Sequence, residues 1–318
     1  MKRRSLLLAA PMGWSLANLS FAQTSYPTKP LRYIVPVAAG GGSDMVGRTV
    51  CERLGRVLGQ TIVVDNIGGG GGVIASQTTA RAPADGYTLM QGYVATHGTA
   101  PATRKLPYDA IKDFTPVGMI GNTPNVLCVP ASLPVQDIKS FLDYVRQNPG
   151  KISYSSSGIY GTTHVAMEIL ANVANLKMIH VPYKGAVLAL TDLIGGQIAM
   201  LMATPSAFMP HIMAGRLKAI AVTSAKRFFT MPDVLTLAES GVAVFDHAEW
   251  WIFMLPARVA DAIEFLLHGE LSAVITQPDF KQRMLDLDID TVGNTREASR
   301  AYCSVNWRGG DARQNRGE

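Results

Sequence analysis

The sequence predicts an α/β fold, rich in parallel strands and divided between two halves of the chain. Three observations predict it. Short apolar or β-branched runs alternate with helix-compatible stretches. Several of these runs end in loops rich in Gly, Ser or Thr. The strand–loop–helix pattern that opens at Leu31 recurs in the second half, after residue 137.

Leu31–Val35 reads as the first strand. Pro36 and the three glycines Gly40, Gly41 and Gly42 force a turn, and a helix follows that Ser43 or Asp44 is placed to cap. Asp44 also suits the positive end of the helix dipole. Glycines tolerate positive φ and leave the backbone bare. The junction therefore offers unpaired N–H groups that bind an anion without a charged side chain. A plain strand-to-helix turn is the simpler alternative, but it rarely needs three consecutive glycines.

Residues 60–66 form a β-branched strand. Gly68 to Gly72 make a tight loop close to the first one, and 73–81 a helix; the glycine spacing does not match a dinucleotide fingerprint. A strand over 87–92 ends at 93–98, where ligand contacts are expected in an open α/β sheet. There His97 reads as a solvated loop histidine. Residues 121–130 are extended, broken at Pro124, and form the first crossover between domains. Residues 137–147 have helical periodicity and stop at Asn148, Pro149 and Gly150. The stretch 152–165 runs from a strand through Ser155, Ser156, Ser157 and Gly161 into a helix for which Thr162 or Thr163 is the N-cap. It is a second oxyanion-friendly loop, or else a serine-rich solvent loop. Strands follow at 178–182, 197–202 and 217–222, with a helix at 188–194. A return crossover at 244–251 leads to two amphipathic helices, 261–273 and 278–287.

The chain has 318 residues, 47% of them hydrophobic, which is ample for a packed core. Met1-Lys-Arg-Arg4, an apolar run over 6–17 and Ser20-Phe-Ala22 have the form of a secretory signal peptide cleaved after Ala22. Arg3-Arg4 hints at twin-arginine export. No later run reaches the ~18 apolar residues of a membrane span, so the mature chain is expected to be soluble. No Cys follows the apolar run, which argues against a lipid anchor. Removing Lys2, Arg3 and Arg4 lowers the formal charge from +5 to +2. No basic stripe interleaved with aromatics points to nucleic acid. Cys51, Cys128 and Cys303 are too widely spaced for a zinc or redox motif, and no metal or cofactor is expected. Hydrolase, metalloprotease and P-loop signatures are absent. His164 near Ser155, Ser156 and Ser157 suggests a secreted serine hydrolase, but nothing nominates a third group to orient the histidine.

Several motifs occur together in order: Tyr26-Pro-Thr-Lys-Pro30, Val35-Pro-Val-Ala-Ala-Gly-Gly-Gly-Ser-Asp44, Val63-Val-Asp-Asn66, Ala84-Asp-Gly-Tyr-Thr-Leu89, Leu106-Pro-Tyr-Asp109, His180-Val-Pro-Tyr-Lys-Gly185 and Pro210-His-Ile-Met-Ala-Gly-Arg216. With them the chain resembles the Bug (TctC-like) extracytoplasmic solute receptors of tripartite tricarboxylate transporters over about residues 26–295. The resemblance implies a type II periplasmic binding protein fold, two α/β lobes around a central ligand cleft. Residues 1–22 are then the signal peptide, 23–124 plus 246–318 the first domain, and 125–245 the second. It implies a periplasmic receptor, monomeric and without enzymatic activity, that delivers a small carboxylate to membrane permease subunits or serves a sensor protein. One carboxylate would rest on Val37, Ala38, Ala39, Gly40, Gly41, Ser43 and Asp44. The other polar end would meet Ser156, Ser157, Gly161, Thr162 and Thr163, with Thr96 and Thr204 on the cleft sides. Lys184 reads as a solvated turn residue. The run ending at Ala203 lacks an acid that relatives often carry, which favours a plain mono- or dicarboxylate over an amino acid. Val37 replaces a frequent aromatic and widens the pocket. The Gly- and Arg-rich tail beyond Thr295 lacks helical periodicity, and its packing on the first domain is not expected.

Overall fold

The computed structural model describes residues 26–156, 159, 161–183, 186–242, 245 and 247–303; the signal segment, Ser157 and Lys184 lie outside them. The chain opens with β1 (Leu31–Val35), α1 (Gly42–Leu58), β2 (Ile62–Asn66), α2 (Val73–Ala80), β3 (Thr88–Tyr93), α3 (Ala100–Thr103) and β4 (Phe114–Pro124). It crosses into β5 (Val126–Pro130), α4 (Ile138–Gln147), β6 (Ser153–Ser156), α5 (Thr162–Val173), β7 (Ile179–Pro182), α6 (Ala186–Ile194), β8 (Met200–Ala203), α7 (Pro205–Met213) and β9 (Leu217–Val222). It returns as β10 (Ala248–Pro256), followed by α8 (Asp261–Thr276), α9 (Pro278–Leu285) and β11 (Asp290–Thr291).

Among the described residues these strands form two sheets, in the orders β11-β4-β10-β3-β1-β2 and β7-β6-β8-β5-β9. The expected parallel pairing holds for β1 with β2 and β3, and for β6 with β7 and β8. The strands that carry the chain between lobes run against it: β10 is antiparallel to β3 and β4, and β5 to β8 and β9. A strand arriving from the other lobe enters from the cleft side, whereas a βαβ crossover brings the chain back to the far edge before each strand begins.

Both sheets are covered on both faces, and alternation along each strand sorts the cores. Leu31, Tyr33 and Val35 pack with Val46, Val50 and Leu54 of α1 and Leu267 and Leu271 of α8, while Ile34 faces Ala75 of α2, Met90 and Trp250. In the second lobe Leu127 and Val129 meet Phe141, Val145, Met167 and Leu170, while Val126 and Cys128 meet Ala189, Leu193 and Phe208. Cys51, Cys128 and Cys303 are all buried and free. Helix α4 starts with a reciprocal capping box between Asp137 and Ser140.

Three segments depart from the sequence expectations. Residues 95–103 are helical, a wide turn at Ala95–Thr99 running into α3. Helix α7 forms with Pro205 in its first turn, where no N–H is needed, and tolerates Pro210 in its interior at the loss of one helical hydrogen bond. The tail expectation is corrected for its first residues only: 296–303 are helical and dock on the first lobe, and the Gly- and Arg-rich remainder, 304–318, lies outside the described residues. Glu264 of α8, 2% exposed, holds both Arg296 at 3.1 Å and Arg300 at 2.8 Å, Tyr302 meets Trp250 edge-on, and Cys303 enters the core. Two arginines converging on one buried carboxylate supply a docking force that apolar periodicity does not record.

That carboxylate anchors the terminal helix. Glu264→Gln is expected to cost roughly 1–3 kcal/mol in a urea melt, because it leaves two guanidinium groups without their counter-charge. Arg300→Ala should cost less, since Arg300 is about half exposed.

Candidate functional site

Helix α1 begins immediately after the loop that ends β1, and its start is open. Its N-cap is Gly41, with no side-chain capping bond, so the expectation that Ser43 or Asp44 caps the helix is corrected. Asp44 instead swings back. Its carboxylate, 2% exposed, accepts from Gly40 N–H at 2.8 Å, Arg48 Nε at 2.9 Å and Asn66 Nδ2 at 2.8 Å. Asn66 also holds the Val37 carbonyl at 3.1 Å. Burial pushes the Asp44 pKa up, but the Arg48, Gly40 and Asn66 bonds outweigh it and hold the group below its usual range. Asp44 is thus the clamp of the loop.

The first N–H groups of α1 have no intrahelical acceptors, and among the described residues nothing else caps them. Ala38, Ala39, Gly40, Gly41 and Gly42 are exposed around them and Val37 is half-buried. Gly40 needs its glycine, at φ +91°. Gly41 and Gly42 have ordinary φ, and a Cβ on either would meet nothing within 4 Å. The fold would accept larger residues there, so the emptiness belongs to whatever approaches the helix start. Behind it, Ser43 Oγ accepts from Gln91 Nε2 and Trp251 Nε1, both at 2.8 Å, which leaves its own proton to donate. The second glycine loop leans on the first as expected, with the Cβ direction of Gly68 3.3 Å from Ala38 N.

The second anion turn follows the same plan. The N-cap of α5 is Gly161, again without a side-chain cap, which corrects the assignment to Thr162 or Thr163; both threonines lie buried in the first helical turn. Ser156 is fully buried with Oγ 2.7 Å from His180 Nε2. His180 in turn stacks on His164, ring centroids 3.9 Å apart, and Tyr154 donates to Glu168. A buried serine and a histidine packed face to face are not arranged for attack on a substrate, and the hydrolase reading finds no support. Ser157 falls outside the described residues.

Thr96 and His97 are both buried. Thr96 is fully buried, its hydroxyl bonded to the Tyr93 backbone and 2.8 Å from His97 Nδ1. His97, read from sequence as solvated, is also buried, edge-on to Phe114, and burial pushes its pKa down to about 3. Thr204 stands at the N-cap of α7, half-buried, with its hydroxyl 3.4 Å from Ser206.

Strand β10 brings the two helix starts together. Trp251 reaches Ser43 in the first turn of α1, and Glu249, two residues earlier on the same strand face, lies beside the Thr162 hydroxyl in the first turn of α5 and the Asn125 amide. Two residues of strand span about 7 Å, which is the separation along β10 between its contacts with the two helix starts. Burial pushes the Glu249 pKa up to about 7, against the opposing pull of Thr162 and Asn125. Glu249, Asn125, Trp251, Gln91 and Asn66 were not singled out from sequence. A polar residue just ahead of the apolar run of a crossover strand, as Glu249 is before Trp250, was the available signal.

Two lobes joined by crossover strands, with uncapped helix starts meeting the same crossover strand, define a solute-binding protein of the periplasmic type. The family model "Tripartite tricarboxylate transporter family receptor" matches residues 46–303, and the chain belongs to that family. A Pseudomonas sp. (strain P51) protein from the tcbD-tcbE intergenic region is 34% identical, over 89% of this chain and 87% of its own length. An R. palustris protein solved with adipate superposes with a TM-score of 0.83 at 30% identity, covering 90% of this chain and 96% of that one. MatC from Rhodopseudomonas palustris with bound malate gives 0.81 at 27% identity, covering 90% and 99%.

Two titrations check the site's electrostatics. The Asp44 pKa is depressed, so its contribution is present above 3.8 and is lost as the pH falls through the lower folded value. Asp44→Ala should therefore lower stability by roughly 1.5–3 kcal/mol at pH 7 in a denaturant melt, with the difference shrinking in strong acid. The Glu249 pKa is raised, so the folded state holds the proton more tightly and stability falls as the pH rises from 4.5 towards about 7. Glu249→Gln should melt a few degrees above the parent at pH 8 and no higher at pH 4.

Proposed function

We propose that this chain is an exported, monomeric and non-enzymatic receptor that captures a small carboxylate between its lobes in the periplasm. It then presents the closed form to the membrane permease subunits of a tripartite transporter. The carboxylate rests on the first turn of α1, against the Gly41 and Gly42 backbone and the Ser43 proton. The single observation that carries this reading is the pair of glycines whose Cβ positions are empty in the folded chain and whose φ values do not require glycine. Peptide N–H groups at a helix start stabilise negative charge without ordering a lysine or arginine side chain. The other polar end of the ligand meets the start of α5 at Gly161, Thr162 and Thr163, with the side chain of Thr204 at the rim. Adipate and malate in the related structures are consistent with a ligand of this size and charge. Closing the lobes follows from the ligand's greater affinity for the closed form.

A thermal-shift screen of the chain from Gln23 onward against aliphatic mono-, di- and tricarboxylates tests this reading. A saturable rise in melting temperature is expected with at least one of them. Gly42→Leu should abolish the rise while the unliganded melting temperature stays within a few degrees of the parent. Gly42→Ala should leave the unliganded protein as stable or stabilise it by about 0.4–1 kcal/mol, as the flexible unfolded chain loses freedom. A screen with no response to any carboxylate would overturn the proposal.

A further inference from the structure

The hinge carries a polar group that the two anion-binding turns do not explain. Asn125 is the single residue between β4 and β5, so it is the point where the chain first changes lobes. Its backbone is tied down: the N–H donates to Thr223 Oγ1 at 2.9 Å and the carbonyl accepts from Thr223 N–H. Thr223 also bonds the backbone of His247 on the return crossover, both accepting from its N–H and donating to its carbonyl. The side chain is not tied down in this way. Asn125 is 1% exposed; its amide nitrogen has only the Glu249 carboxyl beside it, and its amide oxygen has no hydrogen-bond partner. A buried amide whose oxygen is left unpaired is costly unless something arrives to pair it.

Beside it stands Glu249. Its carboxyl neighbours the Asn125 amide and the Thr162 hydroxyl, and it faces Tyr93 at the end of β3. Among the described residues, the groups named as acting on it are the Thr162 hydroxyl and the Asn125 amide. The three neighbours come from the hinge, from the second lobe and from the first, so the cluster lies where the lobes meet. Through Trp251 on the same strand face it is about 7 Å along β10 from the residue that touches the start of α1. The hinge thus adds carboxylate, amide and hydroxyl acceptors beside the N–H donors that open α1 and α5.

We propose that Glu249, Asn125 and Thr162 form a subsite for a protonated amine, so that the receptor selects a carboxylate bearing an ammonium group over the dicarboxylate of matched length. An ammonium group has three donors and no acceptor. The Glu249 carboxylate, Asn125 Oδ1 and Thr162 Oγ1 are three acceptors drawn from three elements. A second carboxylate at that end would face Glu249 and be repelled by it. The missing acid at the end of β8, which seemed to disfavour amino acids, is supplied instead from β10. This inference rests on the carboxylate-receptor reading and names its ligand class.

The test is calorimetric titration at pH 8 of the chain from Gln23 onward. Its probes are unbranched dicarboxylates and ω-amino acids of equal length, from two carbons (oxalate and glycine) to six (adipate and 6-aminohexanoate). At least one amino acid is expected to bind tenfold or more tighter than its matched dicarboxylate. Glu249→Gln should erase or invert that ratio, and Thr162→Val, which alters neither hinge strand, should reduce it several-fold. Dicarboxylates that bind as tightly as their amino-acid partners, or a preference that survives both substitutions, would overturn the subsite while leaving the carboxylate receptor intact. Binding by neither series would overturn both.

Discussion

An α-helix that begins without a capping side chain leaves its first N–H groups in need of an acceptor, and the architecture of this protein is arranged around two such helix starts. At α1 the residue best suited to cap, Asp44, is drawn backwards by Gly40, Arg48 and Asn66. The clamp holds the loop in the shape that presents its amides, and it removes the one carboxylate that could have competed with an incoming anion. The same withholding is seen at α5, where Gly161 is the N-cap and the neighbouring Ser156 is engaged by His180.

Those two turns belong to different sheets, and β10 makes them one site. The strand enters the first sheet between β3 and β4. Along one face it carries Trp251 to Ser43 and Glu249 to Thr162, so a change in the angle between lobes moves the α5 turn relative to this strand and to the α1 turn that shares its lobe. The backbone ties among Asn125, Thr223 and His247 hold the two crossovers together at that point.

The glycine and serine loops were legible because their chemistry is local: a strand, a run of residues without bulky side chains, then a helix. Helix α4 was legible for the same reason, with Asp137 and Ser140 capping within one turn. Thr96 and His97 were legible only as a strand-end loop. Their burial depends on Tyr108 and Phe114, which arrive from a later segment. The terminal helix was missed because two arginines meeting Glu264 of α8 leave no periodic trace in residues 296–303.

By itself the amino-acid order determined the alternation of strands and helices, the two strand-to-helix turns of small residues and the likeness to solute receptors, since each rests on neighbours within a few residues. Only the tertiary structure decided which way the Asp44 carboxylate turns, that Ser156 is closed off, and that Asn125 and Glu249 stand together at the cleft. These outcomes depend on side chains separated by tens to more than a hundred positions, and burial alone sets whether such a group is paired, neutral or left with an unmet hydrogen bond. The acidic residue at the hinge was visible in the sequence only as the last polar residue, after Asp246 and His247, before the apolar run that begins at Trp250. Its meaning came from the desolvated space that two lobes create around it.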